Sequence, residues 1–262
     1  MSFARLVDHM GSDSSIVQAA RVSYGEGTKS VSDDRSLIRY LMRHWHTTPF
    51  EMVEFKFHIR APIYVARQWL RHRTASVNEM SARYSVIPDE YFLPDQLRKQ
   101  SATRGQGGEE PLESANLLQK QKSACDFSFY VYDELIEKGV SRELARGHLP
   151  LCTFTEFYWK LNLHNLLHFL QLRIDDHAQK EIRDIARQIW DLIRPIVPVT
   201  CEAFEDFRMG SITLSRLEIE VLRDIIKDPM SASWRSIAGR GENDEFKQKL
   251  KKLGFGHVQH CE

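Results

Sequence analysis

From Glu51 to Arg60 the chain alternates without a break. Val53, Phe55, Phe57 and Ile59 fall on one side, and Glu54, Lys56, His58 and Arg60 on the other. A period of two predicts a half-buried strand, with one face in a core and the other in water. Helical spacing dominates most of the remaining chain. Ile16, Val17, Ala19, Ala20 and Val22 predict a short helix over 14–24, with Ser14 or Asp13 free to cap it. Leu37, Ile38, Leu41, Met42 and Trp45 predict another from Asp33 to about His46, stopped by Pro49. Pro62 suits a first helical turn, and Ile63, Ala66, Trp69 and Leu70 supply the apolar stripe that follows. From Arg73 to Tyr84 no helical period survives, so a turn into irregular or extended structure is expected.

Residues 95–125 are rich in Gln, Lys, Gly and Ser and read as a polar surface insertion. A helix follows from about Glu113 to Glu137, ended by Gly139, and Ser141 starts a short helix containing Arg146. Thr155 to Leu172 is strongly apolar and reads as a single helix carrying Asn162, His164, Asn165 and His168, with Arg173 just beyond. Asp176 can cap a last long helix through Ile182, Ile185, Ile189, Trp190 and Ile193. After residue 210 charged residues alternate with Leu and Ile, which suggests a helical appendage. The expected organisation is a main domain over 1–210, its polar insertion at about 96–123, and an extension over 211–262.

Composition narrows the function. A chain of 262 residues with 36 basic and 36 acidic side chains has a formal net charge of +0. That balance argues against a long polyanion as main partner, since nucleic-acid binders usually present a dominant basic face. Four cysteines, at 125, 152, 201 and 261, form no CxxC pair, so reduced thiols in a cytoplasmic setting are expected. The N-terminus lacks an apolar signal core, and no run approaches membrane-spanning length.

Against that neutral background, the segment from Arg60 to Arg83 holds five arginines, one glutamate, and no lysine or aspartate. Its centre is Arg71-His72-Arg73, followed after seven residues by Ser81. Guanidinium forks grip phosphate oxygens in pairs, so the cluster predicts an anion site. Helix amides bind anions only at the N-terminus, so at this helix C-terminus side chains must do the holding. Ser81 lacks a base and is better placed as a phosphate contact than as a nucleophile. His164 and His168 stand i, i+4, a spacing that could serve a metal. With no third ligand at a telling distance, packed or hydrogen-bonded imidazoles are the simpler reading. Cys152 reads as a small core residue. The glycines around 105–108 follow no strand, so neither a dinucleotide fold nor a P-loop is supported.

Arg71-His72-Arg73, the seven-residue gap and Ser81 together resemble the signature of the flavin-dependent thymidylate synthases, the ThyX family. Three other segments strengthen the resemblance: His46-Thr47-Thr48-Pro49-Phe50-Glu51, Ala66-Arg67-Gln68-Trp69-Leu70, and Asn162 through Arg173 to Gln179. The resemblance spans about 1–205. It implies a mixed α/β (α+β) subunit with a central antiparallel-rich sheet flanked by long helices, assembling as a homotetramer with sites shared between subunits. It implies reductive methylation of dUMP to dTMP, with 5,10-methylenetetrahydrofolate as carbon donor, FAD as hydride carrier and NADPH as reductant.

By the same resemblance, Thr48, Arg71, His72, Arg73, Asn78, Glu79, Asn162, Leu163, His164 and His168 would contact FAD. Gln68, Arg71, Glu79, Ser81, Ala82, Arg83, Arg146 and Arg173 would hold dUMP, with Arg173 catalytic at the uracil edge. His46 and Tyr84 are further candidates for the folate and flavin face. No metal is implied. This chain departs from the common family pattern in having Asn162-Leu163-His164 for Asn-Ala-Arg, His168 for asparagine, and Ala82 for glycine. The rival expectation is a nucleic-acid-binding regulator using its arginines on phosphate backbone.

Overall fold

The computed structural model describes residues 1–22, 33–101, 108–227 and 240–255. In chain order the elements are β1 (Phe3–Met10), α1 (Asp13–Arg21), α2 (Asp34–Arg43), α3 (Thr48–Glu51), β2 (Glu54–Pro62), α4 (Ile63–Trp69), β3 (Ser76–Glu79), β4 (Arg98–Gln100), β5 (Gly108–Pro111), α5 (Ala115–Glu137), α6 (Arg142–Ala145), β6 (Phe154–Asn162), α7 (Leu163–Ile174), α8 (Lys180–Ile193), α9 (Pro198–Phe204), α10 (Arg216–Lys227) and α11 (Arg240–Lys252). The chain divides into two compact units, Met1–Met209 and Gly210–Glu262.

The first unit is built on a four-stranded antiparallel sheet in the order β1-β2-β6-β3. The alternation in β2 buries Phe55, Phe57 and Ile59 completely, and β6 adds Phe157, Trp159 and Leu161 to the same face. Helices α4, α7 and α8 cover that face with Val65, Trp69, Leu166, Phe169, Ile185 and Ile189. Each fully buried large apolar side chain stabilises the fold by about 1.5–3 kcal/mol before entropy is counted. The other sheet face carries half-buried and exposed side chains. There His58 stacks on Tyr158 at 5.2 Å, Phe3 meets His58 edge-on at 5.2 Å, and Arg5 lies 4.2 Å over Phe3.

Beyond the sheet, the Asp13 carboxylate accepts from the Val199 and Thr200 amides at 2.8 and 3.1 Å and from the Thr200 hydroxyl at 2.6 Å. It thereby satisfies the free donors at the start of α9, far away in sequence. In the second unit, taken by itself, Ile225, Phe246 and Leu250 form a small core, and Lys249 donates to the buried Glu218 at 2.7 and 3.0 Å.

Several sequence expectations are corrected. Thr155–Leu172 is not one helix: Phe154–Asn162 is strand β6, and the helix begins at Leu163. Thr155, Phe157, Trp159 and Leu161 alternate with Glu156, Tyr158 and Lys160, and nine consecutive pairings to β2 hold the segment extended. The N-terminal strand β1 is an addition to the expected elements. Its burial is shallow, so its apolar signal is weak, and Leu6 to Asp8 breaks register. The polar stretch after 95 contains a two-stranded ribbon, β4 with β5. Asp176 does not cap α8. Gln179 takes that position, while the Asp176 carbonyl and carboxylate receive the Arg183 guanidinium. The expected continuation of α1 through 23–24 and the glycines at 105 and 107 lie outside the described residues.

Candidate active site

The site begins with why the arginine triplet projects where it does. Trp69 ends α4 fully buried, with ring centroids 4.5 Å from Phe169, 5.1 Å from Trp159 and 5.8 Å from Phe157. This aromatic block fixes the helix end. The chain then turns, with the His72 amide donating to the Trp69 carbonyl at 3.0 Å, and Arg71, His72 and Arg73 emerge together. Helix α7 supplies the opposite wall. A cavity of about 430 Å³ lies between them, lined by Arg71, His72, Arg73, Thr74, Leu161, Asn165, His168, Leu172 and Arg173. Three guanidiniums line it and, among the described residues, no carboxylate does. Its size falls within the range of cofactor pockets.

One contact organises the charge. Arg173 donates from Nε to Nε2 of His72 at 3.1 Å, and the His72 ring meets Phe169 edge-on at 4.9 Å. An accepting Nε2 requires a lone pair, so the imidazole is neutral with its proton on Nδ1. Its surroundings agree: burial, then Arg173, then His168 push the His72 pKa down to about 4.

A smaller space of about 60 Å³ adjoins α7, and His168 lines both cavities. Trp45, His46, His164, Gln171 and Arg208 are among its walls. The expected helix ends at Arg43, so Trp45 is not part of an apolar stripe. It sits at φ +62° and is 67% exposed, with the Arg208 guanidinium 3.1 Å over its ring. A non-glycine residue at positive φ costs energy unless its surroundings enforce it. Arg208 is held in turn by donating to the Met42 carbonyl at 2.6 Å. The His164 pKa is lowered, chiefly by burial. Trp45, Gln171, Arg208 and Asn165 line these cavities although sequence reasoning assigns them no ligand. The usable signal was the tryptophan in His44-Trp45-His46, just before the proline that ends helix spacing.

The remaining candidate residues lie apart from the large cavity. Asn78 and Glu79 are exposed on edge strand β3, where the Thr155 hydroxyl donates to Glu79 at 2.5 Å. Ala82 and Ala145, the chain neighbour of Arg146, belong to a separate apolar cluster around Phe129 and Tyr132. Ser81 Oγ accepts from the Arg83 amide at 3.3 Å, and the Arg83 guanidinium lies 3.4 Å from Glu143. Arg146 is exposed at the end of α6. Neither cavity is lined by Ser81, Ala82, Arg83 or Arg146. Gln68 donates its side-chain amide to that of Gln179. Thr48 is exposed at the start of α3. Asn162 caps α7, its Oδ1 accepting from the Asn165 amide at 3.0 Å and the Asn165 side chain at 2.9 Å. Leu163 is fully buried and its amide donates to the Val53 carbonyl at 2.7 Å, so its side chain belongs to the core. Tyr84 is exposed, its carbonyl accepting from Arg142 at 2.7 Å.

The chain is similar to known proteins. Residues 5–199 match the family model described as thymidylate synthase complementing protein. A flavin-dependent thymidylate synthase from Dictyostelium discoideum is 55% identical over 251 residues, covering 94% of this chain and 80% of its own. One from Thermus thermophilus is 50% identical over 254 residues, covering 97% of this chain and 93% of its own. Among solved structures, a UMP/dUMP methylase, PolB from Streptomyces cacaoi bound with 5-Br dUMP, superposes with a TM-score of 0.71 at 36% identity. That match covers 80% of this chain and 97% of PolB.

Proposed function

The chain belongs to the flavin-dependent thymidylate synthases, and from that membership we infer how its own residues divide the work. The reaction is the reductive methylation of dUMP to dTMP, with 5,10-methylenetetrahydrofolate as carbon donor and NADPH as reductant. Bound FAD supplies the hydride chemistry. The cavity fits such a group: guanidiniums for its phosphates, an aromatic floor behind His72, and no opposing carboxylate among the described residues.

The observation that carries the residue-level reading is Arg173 tied to a neutral His72 inside an arginine-lined cavity. His72 uses its lone pair to orient the guanidinium. Among the described residues the Nη groups of Arg173 have no protein partner, which leaves them for the uracil edge. A fixed guanidinium there stabilises negative charge developing on the pyrimidine ring without giving up a proton. Arg71 and Arg73 would hold cofactor oxygens from the same wall of the cavity, which His168 and Asn165 border from α7. Ser81, the Ala82 amide, Arg83 and Arg146 would hold the nucleotide phosphate, with Gln68 beside them. Asn162, Asn78, Glu79, Thr48 and His164 complete the cofactor side.

These phosphate ligands do not line the arginine cavity of their own protomer. That separation supports a homotetramer in which one subunit's phosphate ligands face another's cavity. The sheet face that carries the His58–Tyr158 stack is a surface suited to such pairing. The synthase activity is assigned to Met1–Met209, within which the family match lies. A cytoplasmic location accords with the free thiols at 125, 152 and 201. Among the described residues, no helix is long and apolar enough to cross a membrane.

The direct test is to supply FAD, record the visible spectrum of the purified protein, and assay dTMP after adding dUMP, methylenetetrahydrofolate and NADPH. Flavin uptake with dTMP formation is expected. A protein that takes up no flavin under these conditions overturns the reading.

A further inference from the structure

Two thiols outside the site lie side by side. Cys125 Sγ on α5 and Cys152 Sγ in the turn before β6 are 3.4 Å apart, although 27 positions apart in sequence. Both are free, Cys125 buried and Cys152 half-buried. Backbone bonds hold the turn in place. The Cys152 carbonyl accepts from Phe92 at 2.8 Å, that of Leu151 from Tyr64 at 3.1 Å, and that of Thr153 from Ile63 at 3.0 Å. On the other side α5 is held through Asp126, which accepts from the Tyr91 hydroxyl, and through Phe129, stacked on Tyr91 at 5.8 Å. A disulfide needs its sulfurs about 2.05 Å apart. The gap to be closed is therefore about 1.4 Å, between two elements that are each anchored.

We propose that Cys125 and Cys152 are a reversible redox pair, forming a disulfide by exchange with a low-molecular-weight disulfide. The half-buried Cys152 attacks first, giving a mixed disulfide and releasing one thiol. Cys125 then displaces the second thiol and closes the intramolecular bond. In sum, two protein thiols and one external disulfide yield one protein disulfide and two small thiols, and the two cysteine protons leave on those thiols. The segment enclosed contains the end of α5, α6 and the turn Arg146–His148. The bond therefore staples α5 to the turn feeding β6 and constrains the stretch that presents Arg146.

Burial and the neighbouring Cys125 push the Cys152 thiol up to about 12. The Tyr64 phenol, near Glu181 and Arg98, neighbours Cys152, and the Tyr91 phenol, near Asp126 and Asp89, neighbours Cys125. Cys152 is thus mostly thiol at neutral pH, and the exchange rate should climb as pH rises and its thiolate becomes more populated.

The test incubates the full reduced protein with oxidised glutathione at pH 7 and pH 9, followed by peptide mapping and thermal melting. Expected are a Cys125–Cys152 linked peptide, faster formation at pH 9, and a melting temperature higher by roughly 5 °C or more. Dithiothreitol should reverse both changes. In the Cys125→Ser variant, Cys152 should stop at the glutathione adduct; Cys125→Ala serves if the serine is poorly tolerated. Two free thiols after oxidation, or Cys152 linked to another cysteine, would overturn the pair. A correct link without a melting shift would overturn the staple. None of these readouts depends on flavin or on dTMP formation.

Discussion

Arg173 Nε donates to His72 Nε2 across 101 residues of sequence, joining the end of α7 to the turn after α4. The bond links two things usually considered separately: the protonation of an imidazole and the aim of a guanidinium. A protonated His72 has no lone pair to accept with, and it would face Arg173 as a like charge. The first two predictions follow from this.

Arg173→Ala should keep the flavin spectrum and lose about 100-fold to 1000-fold in kcat, the scale expected on removing one group that stabilises developing charge. Arg173→Lys should recover little, because an ammonium cannot both bond to His72 and present a planar fork. Steady-state kinetics with spectrally matched proteins decides it, and a fully active alanine variant would remove Arg173 from the chemistry.

The His72 pKa stands near 4 in the fold against 6.5 unperturbed. Its contribution to stability is therefore complete above about pH 6.5. It declines as pH falls through the window from 6.5 to 4, where the unfolded chain takes the proton first. Thermal melts across that window should drop more steeply for the wild type than for His72→Gln, whose amide can still accept from Arg173. Identical slopes would mean that His72 is not the group being protonated.

Asn162 has two chemically distinct ends, and only Oδ1 is engaged in capping α7. Asn162→Asp should preserve the cap and the melting temperature. In the proposed cofactor role it should still weaken flavin binding, because it trades an amide donor for negative charge toward an anionic group. Asn162→Ala should cost about 1 kcal/mol of stability as well, the usual effect of deleting a cap. Flavin titration alongside melting separates the two roles. An aspartate variant with undiminished flavin affinity would confine Asn162 to the helix.

Arg83 is exposed and loosely paired with Glu143 at 3.4 Å, so its loss should leave folding intact. As a phosphate ligand it predicts that Arg83→Ala raises KM for dUMP about 10-fold to 100-fold, the range for one charged hydrogen bond. The flavin spectrum should be unchanged. If KM for dUMP stays the same and flavin is lost instead, Arg83 belongs to the cofactor.

Local pattern was enough wherever one face of an element is apolar and the other wet. The alternation of Val53, Phe55, Phe57 and Ile59 gave β2 its face. Leu37, Ile38, Leu41 and Met42 gave α2, whereas the helix before the arginine triplet ends at Trp69, earlier than the loss of period after Arg73 suggested. The surplus of arginine over acid also marked the segment that lines the larger cavity, since charge composition needs no tertiary information.

Other features came only from contacts between distant segments. Thr155–Leu161 merges without a break into the apolar α7, and pairing with β2 and β3 settles it as a strand. Trp45 continues a helical stripe on paper, but the helix ends at Arg43 and the ring lies exposed beneath Arg208. Sequence alone could place Arg71, His72, Arg73 and Arg173 on a list. It could not make His72 a neutral acceptor, because that requires burial against Phe169 and a guanidinium arriving from another helix. Hydrophobic period is a local property of the chain, whereas desolvation and long-range hydrogen bonding exist only once the chain has folded.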